Sequence, residues 1–247
     1  MTNLAFAKKV YRLQNAIVRE LNDSHIFLEQ AQPLLVTARA KYETSKSRSD
    51  KRYYVPSVDR TKFAKRTDAE LKAIYNQYIS KGLFEAFLVN SLSRFESFLG
   101  DVLSCFLNYY PLRILEKVQG VPACPDIPVK ELIAASDKDR LLERVIREHL
   151  TNVFRQRPSV YMGYLSAVIG VKDDVSFLDY YEIAATRDLI VHNSSVVNQL
   201  YLDKAKDKAR AEMGDSLIVD KAYYYDSLAK MKKVSGAIKR DIEAKYA

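Results

Sequence analysis

The sequence predicts an all-α protein, a multi-helix bundle, on three observations. Only seven of 247 residues are Gly and seven are Pro, too few punctuating residues for a fold made of many strands and tight turns. Ala, Leu, Lys, Glu and Arg, the residues that lose least on entering a helix, are abundant. Apolar side chains return at three- and four-residue intervals along most of the chain. With 48% hydrophobic and 28% charged residues, the chain has enough apolar surface to build a core and enough charge to stay in solution.

Taken in order, Leu4, Val10, Leu13, Ile17, Leu21, Phe27, Leu28, Leu34 and Leu35 keep mostly helical spacing, which predicts one or two helices from Asn3 to about Lys41, with Asp23-Ser24 and Pro33 as interruptions. The stretch from Thr44 to Arg66 holds eight basic residues against two acidic ones, most of the chain's net charge of +8. It reads either as a polyanion contact or as a solvated loop. Thr67 or Asp68 then caps a helix bearing Leu71, Ile74, Tyr75, Tyr78 and Ile79, with a pause at Lys81-Gly82.

The clearest helical signal is the stripe Phe84, Phe87, Leu88, Leu92, Phe95, Phe98, Leu99, Val102, Leu103 and Phe106. It holds one face for about six turns and is expected to be the spine of the core, with Arg94 and Glu96 on its flanks. Pro111 ends it, and Pro122, Pro125 and Pro128 forbid a regular element across the connection from Gly120. Ser136 to Asp139 has the chemistry of a helix N-terminus, opening a helix through Val153 that Arg155-Gln156-Arg157-Pro158 closes. Two further helices are expected, around Val160 to Ile169 and from Ser176 through His192. Asn193 is then a left-handed terminator and Ser194 or Ser195 the next cap. Asp215 to Val219 reads as a short extended piece, and Asp220 caps a last helix from Lys221 to near Tyr246.

No apolar run is long enough to span a bilayer, and the N-terminus lacks a basic region followed by an apolar one, so the sequence predicts a cytoplasmic chain without a membrane partner. Cys105 and Cys124 have neither metal-ligand nor disulfide-framework spacing, and no His, Cys and Asp cluster suggests a metal or another cofactor.

Two of the three histidines follow an arginine by five positions. Arg144 and His149 lie among mixed charges on an amphipathic helix, where structural roles suffice. Arg187 and His192 instead bracket the apolar Leu189, Ile190 and Val191, with Asp188 and Asn193 beside them. Arg offers a permanent forked cation that matches phosphate oxygens, and His can take or give a proton near neutrality. Positions five apart lie about 140° around a helix, so the two groups meet on one phosphate only if a second subunit supplies the opposite wall across a twofold axis.

The segment Thr186-Arg187-Asp188-Leu189-Ile190-Val191-His192-Asn193, with Ser93-Arg94-Phe95-Glu96-Ser97-Phe98-Leu99 upstream, resembles the HEPN superfamily of all-α domains and its motif of Arg, four to six residues, then His. Asp188 stands where that family more often has Asn. The resemblance covers residues 67 to 247, a HEPN-like helical domain, and leaves residues 1 to 66 as N-terminal helices and a basic linker. It implies a metal-independent endoribonuclease that cuts single-stranded RNA at a composite homodimer site, of the stand-alone type found in bacterial defence and toxin systems, with an antitoxin or sensor protein as a further partner. On it, His192 is the general base or acid, Arg187 the transition-state clamp, Asp188 an orienting group, and Asn193 a contact to the imidazole or a phosphate oxygen.

The expected RNA contacts are Tyr180 and Tyr181, Arg155 and Arg157, and Lys51 and Arg52; of the two tyrosine pairs that can stack on bases, Tyr53-Tyr54 and Tyr180-Tyr181, the second is preferred because it lies two turns before Arg187, although such tyrosines are also ordinary half-buried helix residues. A helical module of the same kind that binds RNA, a nucleotide or a protein without turnover is the alternative.

Overall fold

The structure, a computed structural model, describes residues 3–135, 137–172 and 175–247, with the Ala134 side chain left aside. Helices make up most of it, and the two-stranded ribbon β1–β2 is the one sheet among the described residues. The all-α class follows directly.

Helix α1 (Asn3–Ala40) runs without a break. Ser24 turns its hydroxyl onto the Leu21 carbonyl of its own helix, 2.8 Å away, and so continues the element the sequence pattern interrupts there. Pro33 removes one backbone donor, but the helix carries on through it. Its buried face, Phe6, Val10, Ile17, Leu21 and Leu28, packs against α3 (Leu83–Tyr109) and α9 (Lys221–Tyr246). The sequence-derived boundary at 66/67 falls between β2 and α2, while the side chains of α1 share one core with α3 and α9.

The basic segment is not a plain loop: β1 (Lys51–Tyr54) and β2 (Phe63–Arg66) form an antiparallel hairpin. Thr67 then caps α2 (Asp68–Gln77) in a reciprocal box with Glu70, whose carboxylate accepts from the Thr67 amide at 2.7 Å. The expected pause at Lys81-Gly82 is a single π turn, Tyr78–Gly82, leading straight into α3. Along α3, the residues Phe84, Leu88, Leu92, Phe95, Leu99, Val102, Leu103 and Phe106 are buried, each worth about 1.5–3 kcal/mol of transfer from water.

After a 3₁₀ turn at Pro111–Leu115, the proline-rich connection is irregular as expected. A short helix α4 (Val129–Ala134) follows the last proline, which sits where its missing amide costs no hydrogen bond. Ser136 lies outside the described residues; Asp137 caps α5 (Lys138–Phe154), accepting from the amides of Asp139 and Arg140. Helix α6 (Pro158–Ile169) ends on Gly170 at φ +84°, where an added Cβ would meet the Lys245 ammonium.

Helix α7 (Ser176–His192) is buried around most of its circumference. Asn193 does not take the left-handed conformation; Ser194 and Ser195 do, at φ 51° and 62°. Asn198, rather than either serine, caps the unforeseen α8 (Gln199–Ala205). The 215–219 stretch is extended, with Leu217 donating to the Ser195 carbonyl at 2.7 Å, and Asp220 caps α9 as expected. No helix of the described residues is long and apolar enough to cross a membrane.

Candidate functional site

The motif occupies the last two turns of α7. Leu189 points into a small apolar cluster with Val197, Tyr201 and Leu217, so the chain after the helix is folded back and α8 is laid alongside it. This return brings Lys204 over the motif: its ammonium is 2.7 Å from Asp188 Oδ2. Asp188, His192, Asn193, Asn198 and Lys204 line a recess of about 220 Å³. His192 is exposed there, and Asn193 is fixed by donating to the Val196 carbonyl at 2.6 Å.

Arg187 does not line that recess. It lies on the neighbouring face, where its guanidinium donates to Glu96 Oε1 at 2.8 Å, and its Nε stands 3.0 Å from Asp188 Oδ1 without the alignment of a hydrogen bond. The side chains of Arg187 and Glu96 are 24% and 22% exposed, so the pair is partly screened from solvent. Burial pushes the Glu96 carboxyl above its usual range; Arg187 opposes the shift and Asp188 adds to it. Behind them, Tyr161 donates to Glu96 at 3.4 Å and stands 2.6 Å from the Tyr180 hydroxyl. Both phenols are held protonated, chiefly by burial. Arg187 and Asp188 thus form an alternating row of charge, Glu96, Arg187, Asp188, Lys204, across α3, α7 and α8.

One turn earlier, Glu182 anchors this corner. Its side chain is 4% exposed and accepts from the Thr186, Tyr201 and Tyr223 hydroxyls and from Arg210 Nε, all within 3.0 Å. The Arg210 guanidinium carbon lies over the Tyr223 ring, 3.5 Å from its centroid. A buried carboxylate is tolerated when donors surround it, and here they come from α7, α8, α9 and the connection between them.

The remaining sequence candidates are dispersed. Tyr180 cannot stack on a base: it is fully buried, packed on Phe95 at 5.3 Å, because its position on α7 faces α3 and not solvent. Tyr181 is half-buried at the edge of the same core. Arg155 and Arg157 are exposed at the turn between α5 and α6. Lys51 pairs with Asp68 beside the Tyr42 ring, whereas Arg52 is exposed over Phe63 at 3.7 Å. Arg144 and His149 separate as a structural reading requires. Arg144 pairs with Glu131 on the surface, and His149 is buried with Nε2 3.0 Å from the Tyr164 hydroxyl.

Sequence reasoning missed Lys204, Arg210 and Glu182, and placed Glu96 only as a flank. Glu182 had a partial signal, an acid set directly against the apolar Ile183-Ala184-Ala185, though Asp179 three residues earlier shows the same kind of placement. Lys204 had none, because its role depends on how α8 folds back. Both cysteines are free, and among the described residues no group of three His, Cys, Asp or Glu side chains is placed to hold a metal. Comparison with protein-family models, curated proteins and solved structures finds no significant match.

Proposed function

We propose that the protein is an endoribonuclease of the HEPN type, acting on single-stranded RNA without a metal as a homodimer. The observation that carries this reading is the placement of His192: exposed at the end of α7, in a recess shared with Asp188, Asn193 and Lys204, one helical face away from a half-screened Arg187. His192 is free to meet a substrate, and Arg187 is held in place by Glu96.

In the proposed reaction, a neutral His192 takes the proton of the RNA 2′-hydroxyl as that oxygen bonds to the adjacent phosphorus. The P–O5′ bond breaks, and the leaving oxygen takes a proton from the second copy's imidazolium. A 2′,3′-cyclic phosphate and a 5′-hydroxyl result. Arg187 meets the charge that builds on the phosphorane oxygens, a role in which a positioned cation is worth most because it need not reorganise. Asp188, bridging Arg187 and Lys204, keeps both cations at the helix end. DNA, lacking the attacking hydroxyl, is not cut. On this reading the cleavage serves a bacterial defence or toxin system, with a neutralising or sensing protein as partner.

The test is cleavage of unstructured RNA in excess chelator. His192→Ala and Arg187→Ala are each expected to lose about 10²–10⁴-fold in rate, with unchanged helical content, and wild-type products should carry cyclic phosphate ends. Undiminished cleavage by His192→Ala would remove the imidazole from the mechanism. A second reading rests on the engagement of Arg187 by two carboxylates: a helical module that binds RNA or a protein and does no chemistry. RNA binding without turnover in the wild type would favour it.

A further inference from the structure

The hairpin β1–β2 has two unlike faces. Cross-strand partners lie on the same side of a ribbon and alternate residues lie on opposite sides. The register Lys51↔Arg66, Arg52↔Lys65, Tyr53↔Ala64 and Tyr54↔Phe63 therefore puts Lys51, Tyr53 and Arg66 on one face and Arg52, Tyr54, Phe63 and Lys65 on the other. The inner face is turned toward the helices, for Lys51 pairs with Asp68 and lies 5.2 Å over the Tyr42 ring. The outer face is turned to solvent. On it Arg52 stacks on Phe63 at 3.7 Å, Lys65 is exposed directly opposite, and Tyr54 is 78% exposed.

Two features of this outer face call for a ligand. Like charges directly opposite each other weaken a strand pair, and a two-stranded ribbon has little stability to spare. Among the described residues no carboxylate pairs with Arg52 or Lys65, whereas Lys51 on the inner face has Asp68. Single cations can blunt a strand edge against aggregation, but that role does not need an exposed phenol beside two facing cations. An anionic polymer relieves the repulsion, and one with flat, apolar rings uses the phenol as well. Single-stranded nucleic acid has both. On one face of a strand, ring and cation two residues apart stand about 7 Å from each other. A base on Tyr54 then leaves its phosphate beside Arg52 and Lys65.

We propose that the outer face of the hairpin, Arg52, Tyr54 and Lys65, is a binding site for single-stranded RNA separate from the His192 recess. The inference takes from the proposed function only that the ligand is RNA. It withdraws Lys51 from the contacts, since that ammonium is committed to Asp68, and it replaces the buried Tyr180 with the exposed Tyr54 as the stacking ring.

The test is fluorescence anisotropy of the full-length protein with a labelled 2′-O-methyl oligouridine of about 12 nucleotides, long enough to cover such a site. Having no attacking hydroxyl, the probe reports binding without cleavage. R52A/K65A is expected to weaken binding roughly tenfold and to flatten the dependence of log affinity on log salt by about 1.4, at about 0.7 for each phosphate no longer neutralised. Tyr54→Ala is expected to weaken it about tenfold, and Tyr54→Phe to retain it. K8A/R12A removes the same charge from exposed positions of α1 and should leave both affinity and slope unchanged. A wild-type slope in R52A/K65A, an equal loss in K8A/R12A, no effect of Tyr54→Ala, or polyglutamate binding as tightly as the oligouridine would each overturn the proposal. The cleavage reading fails on different variants: His192→Ala should still bind this probe, and R52A/K65A should still cut a short oligouridine that cannot reach the hairpin.

Discussion

At the scale of single residues, the two Arg–His pairs show how little the spacing says and how much the surroundings do. His149 and His192 each follow an arginine by five positions, yet one is sealed in the core and the other faces solvent. His149 has Nε2 against the Tyr164 hydroxyl and no partner for Nδ1. A proton on Nε2 leaves only a lone pair unsatisfied, the cheaper arrangement. Burial pulls its pKa down, so between the lowered folded value and the free value of about 6.5 the unfolded chain binds the extra proton. The contribution is fully present above about pH 6.5 and is lost as pH falls below it. Melting temperatures measured from pH 7.5 downward should therefore drop in the wild type and drop less in His149→Gln, which is less stable than wild type at neutral pH but has no proton to gain.

At the scale of elements, α7 joins the core to the recess. A helix with one wet face can rotate or slide by a fraction of a turn at small cost, but α7 is buried on nearly every side, so the direction of His192 is set by packing seventeen residues long. Glu182 adds the polar half of that constraint, holding α8 and α9 to α7 through Tyr201, Tyr223 and Arg210. Glu182→Ala leaves Arg210 and three hydroxyls without their acceptor and is expected to cost about 3 kcal/mol in urea unfolding. Glu182→Gln, which keeps the volume and an acceptor oxygen, should cost less. If the network matters to the recess, Glu182→Gln should lower RNA cleavage more than it lowers stability, because Lys204 rides on α8. Equal losses would confine Glu182 to holding the fold.

For the whole molecule, the N-terminal helix is part of the core. Phe6 packs edge-on against Phe106 and Tyr246 at 5.4 Å each, and Tyr224 of α9 donates to Ser24 of α1 at 3.0 Å. A chain cut to residues 67–247 would expose the apolar faces of α3 and α9 that α1 covers. It is expected to lose its cooperative thermal transition and to bind a hydrophobic dye, whereas the full chain melts in one step. A sharp transition in the shortened chain would show that the helical body stands without α1.

The sequence by itself determined the all-α class, the spine from Phe84 to Phe106, the cap at Asp220, and helix starts at Thr67 or Asp68 and within Ser136 to Asp139. Each of these is written in local periodicity or in a side chain that satisfies its own backbone within four residues. The hairpin was not legible, because its strands are four residues long and charged on both faces, so they lack the alternation that marks a half-buried strand. Nor were α4, α8 and the continuity of α1 through Pro33. Tertiary structure alone decided that Tyr180 is core and Tyr54 is surface, and that Glu96 and Lys204 flank the motif. The partners of a charge lie 91 positions away in one case and 16 in the other, and distances of that kind are set by how helices pack, not by anything the neighbouring residues encode.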